Sequence, residues 1–236
     1  MATTSEDGTQ HFLRHFSDPE ATTRYTQGPP RFLPGLEAMH RMTGILLAEA
    51  APSDANILVL GAGGGMELLA LAETQPGWRF TGVDPAGPML RLAEQTAAPF
   101  MDRIELVEGY IDDAPEGPFD GAICLLTLHF LMAEDRLATI RANRQRLRPG
   151  APFVAVHGCL PKDRPARDIW LDRYAAYPLI MGVEPEQVAQ ARASVDAAAP
   201  MLEPAQDEIL LKHGGFPDAE LFFAAFTWRG WIGHAA

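Results

Sequence analysis

A run of four glycines in five residues, at positions 61–65, constrains this chain more than any other feature. Residues 57–60 before it are apolar and residues 66–70 after it favour a helix, which predicts a buried strand, a tight turn and a helix start. Glycine has no Cβ, so the backbone can adopt positive φ and a ligand can contact the main chain directly. Because open α/β sheets bind nucleotide-like ligands at such turns, the pattern predicts a ligand site here.

An acidic residue follows at a distance that fits this interpretation. Asp84 comes nineteen residues after Gly65, at the end of a second predicted strand over residues 79–83. A carboxylate at the end of a neighbouring strand can accept hydrogen bonds from both hydroxyls of a ribose. We therefore expect Asp84 to bind a ribose.

Strands and helices alternate through the middle of the chain, which predicts right-handed crossovers and a parallel sheet. A helical arm precedes this region, and a helical insertion follows it. Two aromatic-rich strands close the chain with almost no connector, so they must be antiparallel to each other. The predicted strands are residues 56–60, 79–83, 103–107, 119–126, 152–157, 219–227 and 228–232. The predicted helices are residues 35–50, 66–74, 88–96, 134–147, 163–177, 185–198 and 205–213.

Composition excludes several classes of function. The 236 residues carry a net charge of −12, which argues against nucleic acid and anionic membranes as direct partners. No apolar run reaches the length of a membrane span, and the polar first ten residues do not resemble a targeting signal. Cys124 and Cys159 lie in apolar runs and form no metal-ligand pattern, so we expect reduced thiols, no metal and a cytoplasmic protein.

The glycine turn is compatible with two kinds of ligand. A nicotinamide or flavin fingerprint needs glycine at a third position, where this chain has the bulky Met66 after Gly61 and Gly63. S-adenosylmethionine has no phosphates and needs close backbone contact, a diol acceptor and a flat adenine slot. Its sulfonium also suits an acidic protein. The turn therefore favours S-adenosylmethionine.

At this point the chain resembles the class I S-adenosylmethionine-dependent methyltransferases. The matching segments are residues 59–65, 82–85, 89–90, 108–113, 125–131, 147–150 and 215–216, in the family's order. The resemblance implies an α/β, Rossmann-like, doubly wound, mostly parallel seven-stranded sheet with an antiparallel last strand, plus an N-terminal helical arm and a helical lid. The corresponding parts are an arm and helix at 1–52, a cofactor-binding core at 53–160, a lid at 161–213 and a terminal strand pair at 214–236.

The resemblance also implies a set of cofactor contacts. The turn residues would face the methionine and ribose, Asp84 the ribose diol, and the others the adenine or the methionine part. The family often has acids where this chain has Val59 and Tyr110. The implied cofactor-binding residues are Gly61, Ala62, Gly63, Gly65, Asp84, Pro85, Met89, Ile111, Asp112, Leu125, Leu126 and Thr127.

A narrower resemblance is to carboxy-S-adenosylmethionine synthase. It covers residues 33–35, 42–49 and 127–131 and the tail at 215–226. Arg192 falls where that family binds the extra carboxylate of its ligand. Leu36 and Leu125 replace a tyrosine and an asparagine of the family, so we expect a relative with changed chemistry.

Methyl transfer needs alignment more than acid–base help, and a base only where the acceptor carries a proton. His129 and His157 follow the fourth and fifth predicted strands and are the candidate catalytic bases. We expect the arm and the insertion at 161–213 to cover the open end of the sheet and set specificity. The candidate substrate contacts are Tyr25, Arg31, Trp170, Tyr174, Tyr177 and Arg192.

The predicted function is methyl transfer from S-adenosylmethionine to a small-molecule acceptor. Three alternatives stay open: a carboxy-S-adenosylmethionine synthase-like enzyme, a non-catalytic S-adenosylmethionine-binding protein, and a nicotinamide oxidoreductase. The sequence leaves the acceptor atom undetermined, and it leaves a homodimer open as the assembly.

Overall fold

A single seven-stranded sheet organises the chain in the computed structural model, which describes residues 13, 14, 16–18, 22 and 25–236. The strand order is β3-β2-β1-β4-β5-β7-β6. Strands β1 to β5 pair in parallel, whereas β7 is antiparallel to both β5 and β6. The strands are β1 (Asn56–Leu60), β2 (Arg79–Asp84), β3 (Ile104–Glu108), β4 (Gly121–Leu125), β5 (Pro152–Gly158), β6 (Glu220–Ala225) and β7 (Trp228–His234). This order confirms the predicted fold, including the reversed last strand.

Helices cover both faces of the sheet and extend beyond it. They are α1 (Pro29–Phe32), α2 (Leu36–Ala48), α3 (Met66–Thr74), α4 (Gly87–Thr96), α5 (Ala133–Gln145), α6 (Arg164–Ile180), α7 (Pro185–Ala198) and α8 (Pro204–His213). Short 3₁₀ turns lie at Tyr25–Gln27, Ala98–Arg103, Ile111–Asp113 and Leu128–Phe130. In the part of the chain that the structure describes, no helix is long and apolar enough to cross a membrane.

The core explains why the strands are so apolar. Every residue of β4 and β5 is buried, as expected for central strands with helices on both faces. The outer strand β3 has a mixture of buried and exposed residues. Strand β4 is shorter than predicted because Leu126 leaves the strand with a φ of 57° and turns the chain towards Thr127.

The register of the central strands sets the position of the site. Leu60 of β1 pairs with Val83 of β2, so the glycine turn and Asp84 emerge side by side at the carboxyl edge of the sheet. Strand β4 runs parallel on the other side of β1 and delivers residues 125–127 to the same edge. Three chain segments therefore meet at one place because parallel strands end together.

The helical insertion packs beside this edge, on the β5 and β7 side of the sheet, where Trp228 pairs with Gly158 at the end of β5. Tyr174 of α6 is buried, with its ring 5.8 Å from Phe32 and 6.4 Å from Trp228. The indole of Trp228 also donates a hydrogen bond to the carbonyl of Phe32 at 3.2 Å. These contacts hold the insertion against α1 and the β7 side of the sheet.

Candidate functional site

Close packing around the turn requires its glycines. Gly61 has a φ of 75°, and a Cβ there would lie 2.0 Å from the hydroxyl oxygen of Thr127. Gly65 has a φ of 76°, and its Cβ would lie 2.7 Å from the backbone of Ala93 in α4. Gly65 therefore permits helix packing, and its predicted cofactor contact stays a prediction.

Asp84 is fixed by the same turn. One carboxylate oxygen accepts a hydrogen bond from the Gly63 N–H at 3.0 Å, and the other accepts one from the Ala86 N–H at 2.9 Å. Burial raises the pKa of Asp84, while these two N–H donors act in the opposite direction. A carboxylate has about four acceptor positions, so Asp84 keeps capacity for two ligand hydroxyls.

A cavity opens over Asp84 and the turn, at the carboxyl ends of β1, β2 and β4. Nine of the predicted cofactor-binding residues line it: Gly61, Gly63, Asp84, Pro85, Met89, Ile111, Leu125, Leu126 and Thr127. Gly65, Ala62 and Asp112 do not line it. Ala62 is fully buried beside Gly82, whose Cβ would lie 2.9 Å from the methyl of Ala62, and Asp112 is exposed to solvent. The role of these three residues as cofactor contacts stays a prediction.

The N-terminal arm forms the roof of the cavity. Its lining residues are Leu13, Phe16, Tyr25 and Pro29, and α2 adds Leu36 and His40. The Phe16 ring lies 5.8 Å from Tyr25 and 5.6 Å from Phe130, edge to face in both pairs. Tyr25 also covers the turn, because a Cβ on Gly64 would lie 2.8 Å from its ring. The roof is therefore mainly apolar and aromatic.

Five of the six predicted substrate contacts lie outside the cavity lining, and their role stays a prediction. Only Tyr25 lines the cavity; Arg31, Trp170, Tyr174, Tyr177 and Arg192 do not. Trp170 stacks with the guanidinium groups of Arg173 and Arg229 at 4.6 and 5.4 Å.

The physical reason is the position of the insertion. Tyr174 is a packing residue between the insertion and α1. Arg192 forms an ion pair with Asp172 at 2.8 Å across α6 and α7. Arg31 is exposed on α1. Among the described residues, the arm and α2, and not residues 161–213, cover the cavity.

The cavity has an acidic lining. Asp84 and Glu67 are its carboxylates, and no lysine or arginine lines it in the part of the chain described. Burial, with a further contribution from Asp84, raises the pKa of Glu67 to about 8. Burial also lowers the pKa of His40 to about 4, so this imidazole is neutral at pH 7. Such a cavity favours a cation over an anion.

Sequence reasoning did not single out Glu67 or His40. An acid in the first turn of a helix is also explained by the helix dipole, so Glu67 has no distinctive pattern. His40 follows Leu36 by four residues and shares the buried face of α2 with it. A histidine within an otherwise apolar helix face was the available signal.

The predicted bases lie in a different environment. His157 is buried, and its Nε2 lies 3.2 Å from a carboxylate oxygen of Asp207. Asp207 also bonds to Arg136 and accepts from the Cys159 thiol at 3.3 Å. We call these four residues the Asp207 cluster: Arg136, His157, Cys159 and Asp207. None of them lines the cavity.

His129 is also excluded from the cavity. Its ring is 3% exposed and lies 4.1 Å from Phe130 and 5.6 Å from Trp228. Burial lowers the pKa of His129 well below its ordinary value, with further lowering by His157 and Arg136. Neither His129 nor His157 lines the cavity, and both rings are buried. The role of His129 and His157 as catalytic bases stays a prediction.

The Asp207 cluster has a grouping of metal-ligand atoms. The donor atoms of His157, Cys159 and Asp207 all lie within 4.8 Å of one another. Arg136 is completely buried and already pairs with Asp207, so a metal ion there would meet an adjacent fixed positive charge. Burial and Asp207 also raise the pKa of the Cys159 thiol, which disfavours the thiolate that binds metals. The cluster is therefore an ion-pair network.

Comparisons with known proteins agree with this geometry. Residues 58–153 match the family model described as a methyltransferase domain. The carboxy-S-adenosyl-L-methionine synthase of Aeromonas hydrophila subsp. hydrophila is 25% identical over 206 residues, which are 86% of this chain and 83% of that protein. The synthase of Glaesserella parasuis serovar 5 is 25% identical over 86% of each chain.

Solved structures share the fold. An O-methyltransferase family protein from Burkholderia thailandensis has a TM-score of 0.71 at 15% identity, over 96% of this chain and 62% of that chain. Human N-acetylserotonin methyltransferase in complex with S-adenosylmethionine has a TM-score of 0.64 at 17% identity, over 95% and 59%. This chain therefore spans about three fifths of each of those two chains.

Proposed function

We propose that this chain is a class I S-adenosylmethionine-dependent methyltransferase that transfers the methyl group to a small, largely apolar molecule. S-adenosylmethionine is the cofactor. The observation that carries the proposal is one cavity with two chemically different halves. Its floor is the glycine turn with Asp84 and Glu67, and its roof is apolar and aromatic.

The floor suits a cationic nucleoside. Asp84 stands ready for a ribose, and Met89 and Ile111 are buried, apolar neighbours for an adenine ring. The absence of lysine and arginine from the described lining disfavours the phosphates of a nicotinamide dinucleotide. The same charges support S-adenosylmethionine over the oxidoreductase alternative.

The carboxy-S-adenosylmethionine synthase alternative fits the cavity less well, although two such synthases are 25% identical to this chain. The additional carboxylate of carboxy-S-adenosylmethionine needs a cationic partner. Arg192, the candidate for that role, is paired with Asp172 outside the cavity. Leu36 lines the cavity where the resemblance places a tyrosine. These observations support methyl transfer over carboxymethyl chemistry.

We also propose that His40 is the base that accepts a proton from the acceptor molecule. S-adenosylmethionine supplies an electrophilic methyl group when bound, and the acceptor must approach from the roof side. His40 is the imidazole among the described lining residues, and it is neutral at pH 7. It takes the proton of an acceptor hydroxyl or thiol as the new bond to carbon forms. The sulfonium charge disappears in the same step, so the imidazolium leaves the total charge of the site unchanged.

The surroundings proposed for the enzyme follow from charge and thiols. Cys124 and Cys159 are both free and buried, which fits a reducing compartment such as the cytoplasm. The net charge of −12 supports a small molecule, and not a nucleic acid, as the acceptor.

Calorimetry and product analysis test the proposal and separate its alternatives. The wild-type protein should bind S-adenosylmethionine and S-adenosylhomocysteine and should not bind NADH. Incubation with S-adenosylmethionine and a panel of phenols, catechols, thiols and aromatic acids should form S-adenosylhomocysteine and a methylated product, both detected by mass spectrometry. Cofactor binding without turnover of any acceptor would favour the non-catalytic alternative. A carboxylated nucleoside copurifying with the protein would favour the synthase.

A further inference from the structure

Glu67 is a carboxylate that the fold leaves facing the cavity. It lies in the first turn of α3, two residues after the glycine turn ends, and lines the same cavity as Asp84. Three ionisable groups interact with Glu67. Asp84 of β2 raises the pKa of Glu67, and Glu67 raises the pKa of Tyr25 in the arm and of Cys124 in β4. None of these three side chains can supply a positive charge. His40, which lines the same cavity, is neutral at pH 7, so none of these four groups pairs with the ionised form of Glu67.

A structural role does not explain this arrangement. A buried acid that stabilises a fold is normally paired with a cation or well supplied with donors. Among the described residues, no lysine, arginine or histidine forms a salt bridge to Glu67, whereas Asp207 has Arg136 and His157. The backbone N–H of Glu67 itself donates to the carboxylate. The carboxylate is thus prepared for a positive charge that the described residues do not provide.

The position of Glu67 indicates which part of a nucleoside it would meet. The ribose is expected at Asp84, which ends β2 on one side of β1. Residues 125–127 lie at the end of β4 on the other side of β1 and also line the cavity. Glu67 lies in the first turn of the helix that follows β1, and β1 lies between β2 and β4 in the sheet, so Glu67 lies between the ribose position and the end of β4. A ligand held at Asp84 that extends towards β4 places its amino acid part beside Glu67.

We infer that Glu67 binds the ammonium group of the methionine part of S-adenosylmethionine and selects ligands that carry this charge. The inference rests on the proposed function, because it takes S-adenosylmethionine as the ligand. The same contact is available to S-adenosylhomocysteine, which keeps the ammonium and lacks the sulfonium. Methylthioadenosine has neither charge and gains nothing from Glu67.

Proton release provides an independent signature of this contact. With its pKa near 8, Glu67 is largely protonated at pH 7 before a ligand arrives. An ammonium beside it favours the carboxylate, so the proton leaves on binding. His40 is already neutral at this pH, and Tyr25 and Cys124 stay protonated because burial raises the pKa of both. Binding of S-adenosylmethionine should therefore release close to one proton per site.

Calorimetry with three nucleosides tests the assignment on the full chain. The variants are Glu67→Gln and the matched control Glu73→Gln, which changes an exposed acid on the same helix. Dissociation constants for S-adenosylmethionine, S-adenosylhomocysteine and methylthioadenosine are measured in phosphate and in Tris, so that proton release is obtained from the buffer dependence. Circular dichroism confirms that each variant is folded.

The expected result is specific to the ammonium. Glu67→Gln should weaken both S-adenosylmethionine and S-adenosylhomocysteine at least tenfold, leave methylthioadenosine within twofold, and abolish the proton release. Glu73→Gln should match the wild type. Three outcomes would each overturn the inference. Glu67→Gln could bind S-adenosylmethionine and S-adenosylhomocysteine as tightly as the wild type, its weaker binding could extend to methylthioadenosine, or its weaker binding could be limited to S-adenosylmethionine. Failure of the wild type to bind S-adenosylmethionine would instead reject the proposed function.

Discussion

Two parts of this molecule hold carboxylates and histidines in buried surroundings: in the Asp207 cluster these groups are paired, and in the cavity they form no salt bridges among the described residues. In the Asp207 cluster, Asp207 meets the guanidinium of Arg136, the ring of His157 and the thiol of Cys159. In the cavity, Glu67 and His40 belong to no salt bridge among the described residues. Although burial opposes it, His157 and Arg136 lower the pKa of Asp207. Burial raises the pKa of Glu67 to about 8.

The difference separates groups that hold the fold together from groups that await a ligand. Paired charges in the Asp207 cluster connect β5, α5 and α8, so their removal should damage the fold. Unpaired groups in the cavity destabilise the free protein slightly and gain a partner on binding. Titratable side chains alone would not distinguish the two regions; the presence or absence of partners does.

The strongest test of this contrast is Arg136→Met. Removing the guanidinium leaves Asp207 buried with an uncompensated charge, which destabilises a protein by about 3–5 kcal/mol. Urea unfolding should show this loss, while calorimetry on the folded variant should give an unchanged affinity for S-adenosylmethionine. Arg141→Met, at an exposed position of the same helix, is the control. A stable Arg136→Met protein would show that the cluster has no structural role.

Asp84→Asn should mainly weaken cofactor binding, whereas Arg136→Met should mainly lower stability. The amide cannot accept from both the Gly63 and Ala86 N–H groups and the two ribose hydroxyls, so binding should weaken about ten- to a hundredfold. The free energy of unfolding should change by less than it does in Arg136→Met. Asp112→Asn should bind normally, because Asp112 lies outside the cavity. Equal weakening in both variants would return Asp112 to the site.

The sequence predicts the sheet because each strand has a local signal. The mostly apolar runs at 56–60 and 119–126 predict central strands, and the minimal link before Trp228 requires a reversal. The glycine turn and Asp84 follow from that order, since parallel strands end at one edge. This part of the site depends on the short-range pattern of the chain and on one well-understood topology.

The rest of the site depends on long-range packing. The position of the insertion is decided by contacts between distant parts of the chain, such as that of Tyr174 with Phe32. No local pattern reveals that choice, so the sequence alone does not show that Trp170 and Tyr177 lie outside the cavity lining. The direction of a histidine ring after a strand is set in the same way, which is why the burial of His129 and His157 was not predicted.

The pH dependence of stability should separate the two cavity groups. Glu67 is protonated in the folded protein and ionised when unfolded between its ordinary pKa of 4.5 and about 8. The unfolded state then binds fewer protons, so stability falls as pH rises through this range, by about 1–2 kcal/mol after allowance for partial exposure. His40 has the opposite effect, because stability is lost as pH falls from 6.5 towards 4.

Urea unfolding at pH 5, 7 and 8.5 checks this expectation. Glu67→Gln should flatten the alkaline decline and leave the acid decline intact, because only the acid side depends on His40. Saturating S-adenosylmethionine should also reduce the alkaline decline in the wild type, since the bound ammonium stabilises the carboxylate. An alkaline decline that persists unchanged in Glu67→Gln would assign it to another group.

The smallest effect is expected at His129, which lies beside the Asp207 cluster and was predicted to be catalytic. Its Nδ1 is buried with no hydrogen-bond partner among the described residues, and its ring packs on Phe130 and Trp228. His129→Leu keeps most of the apolar contact and removes a polar atom that burial penalises, so stability should change by about 1 kcal/mol or less. The affinity for S-adenosylmethionine should stay within twofold, and so should turnover of an acceptor identified by the mass-spectrometric assay. His40→Gln should lower that turnover at unchanged cofactor affinity. If His129→Leu lowered turnover and His40→Gln did not, the base would be the buried His129 and not His40.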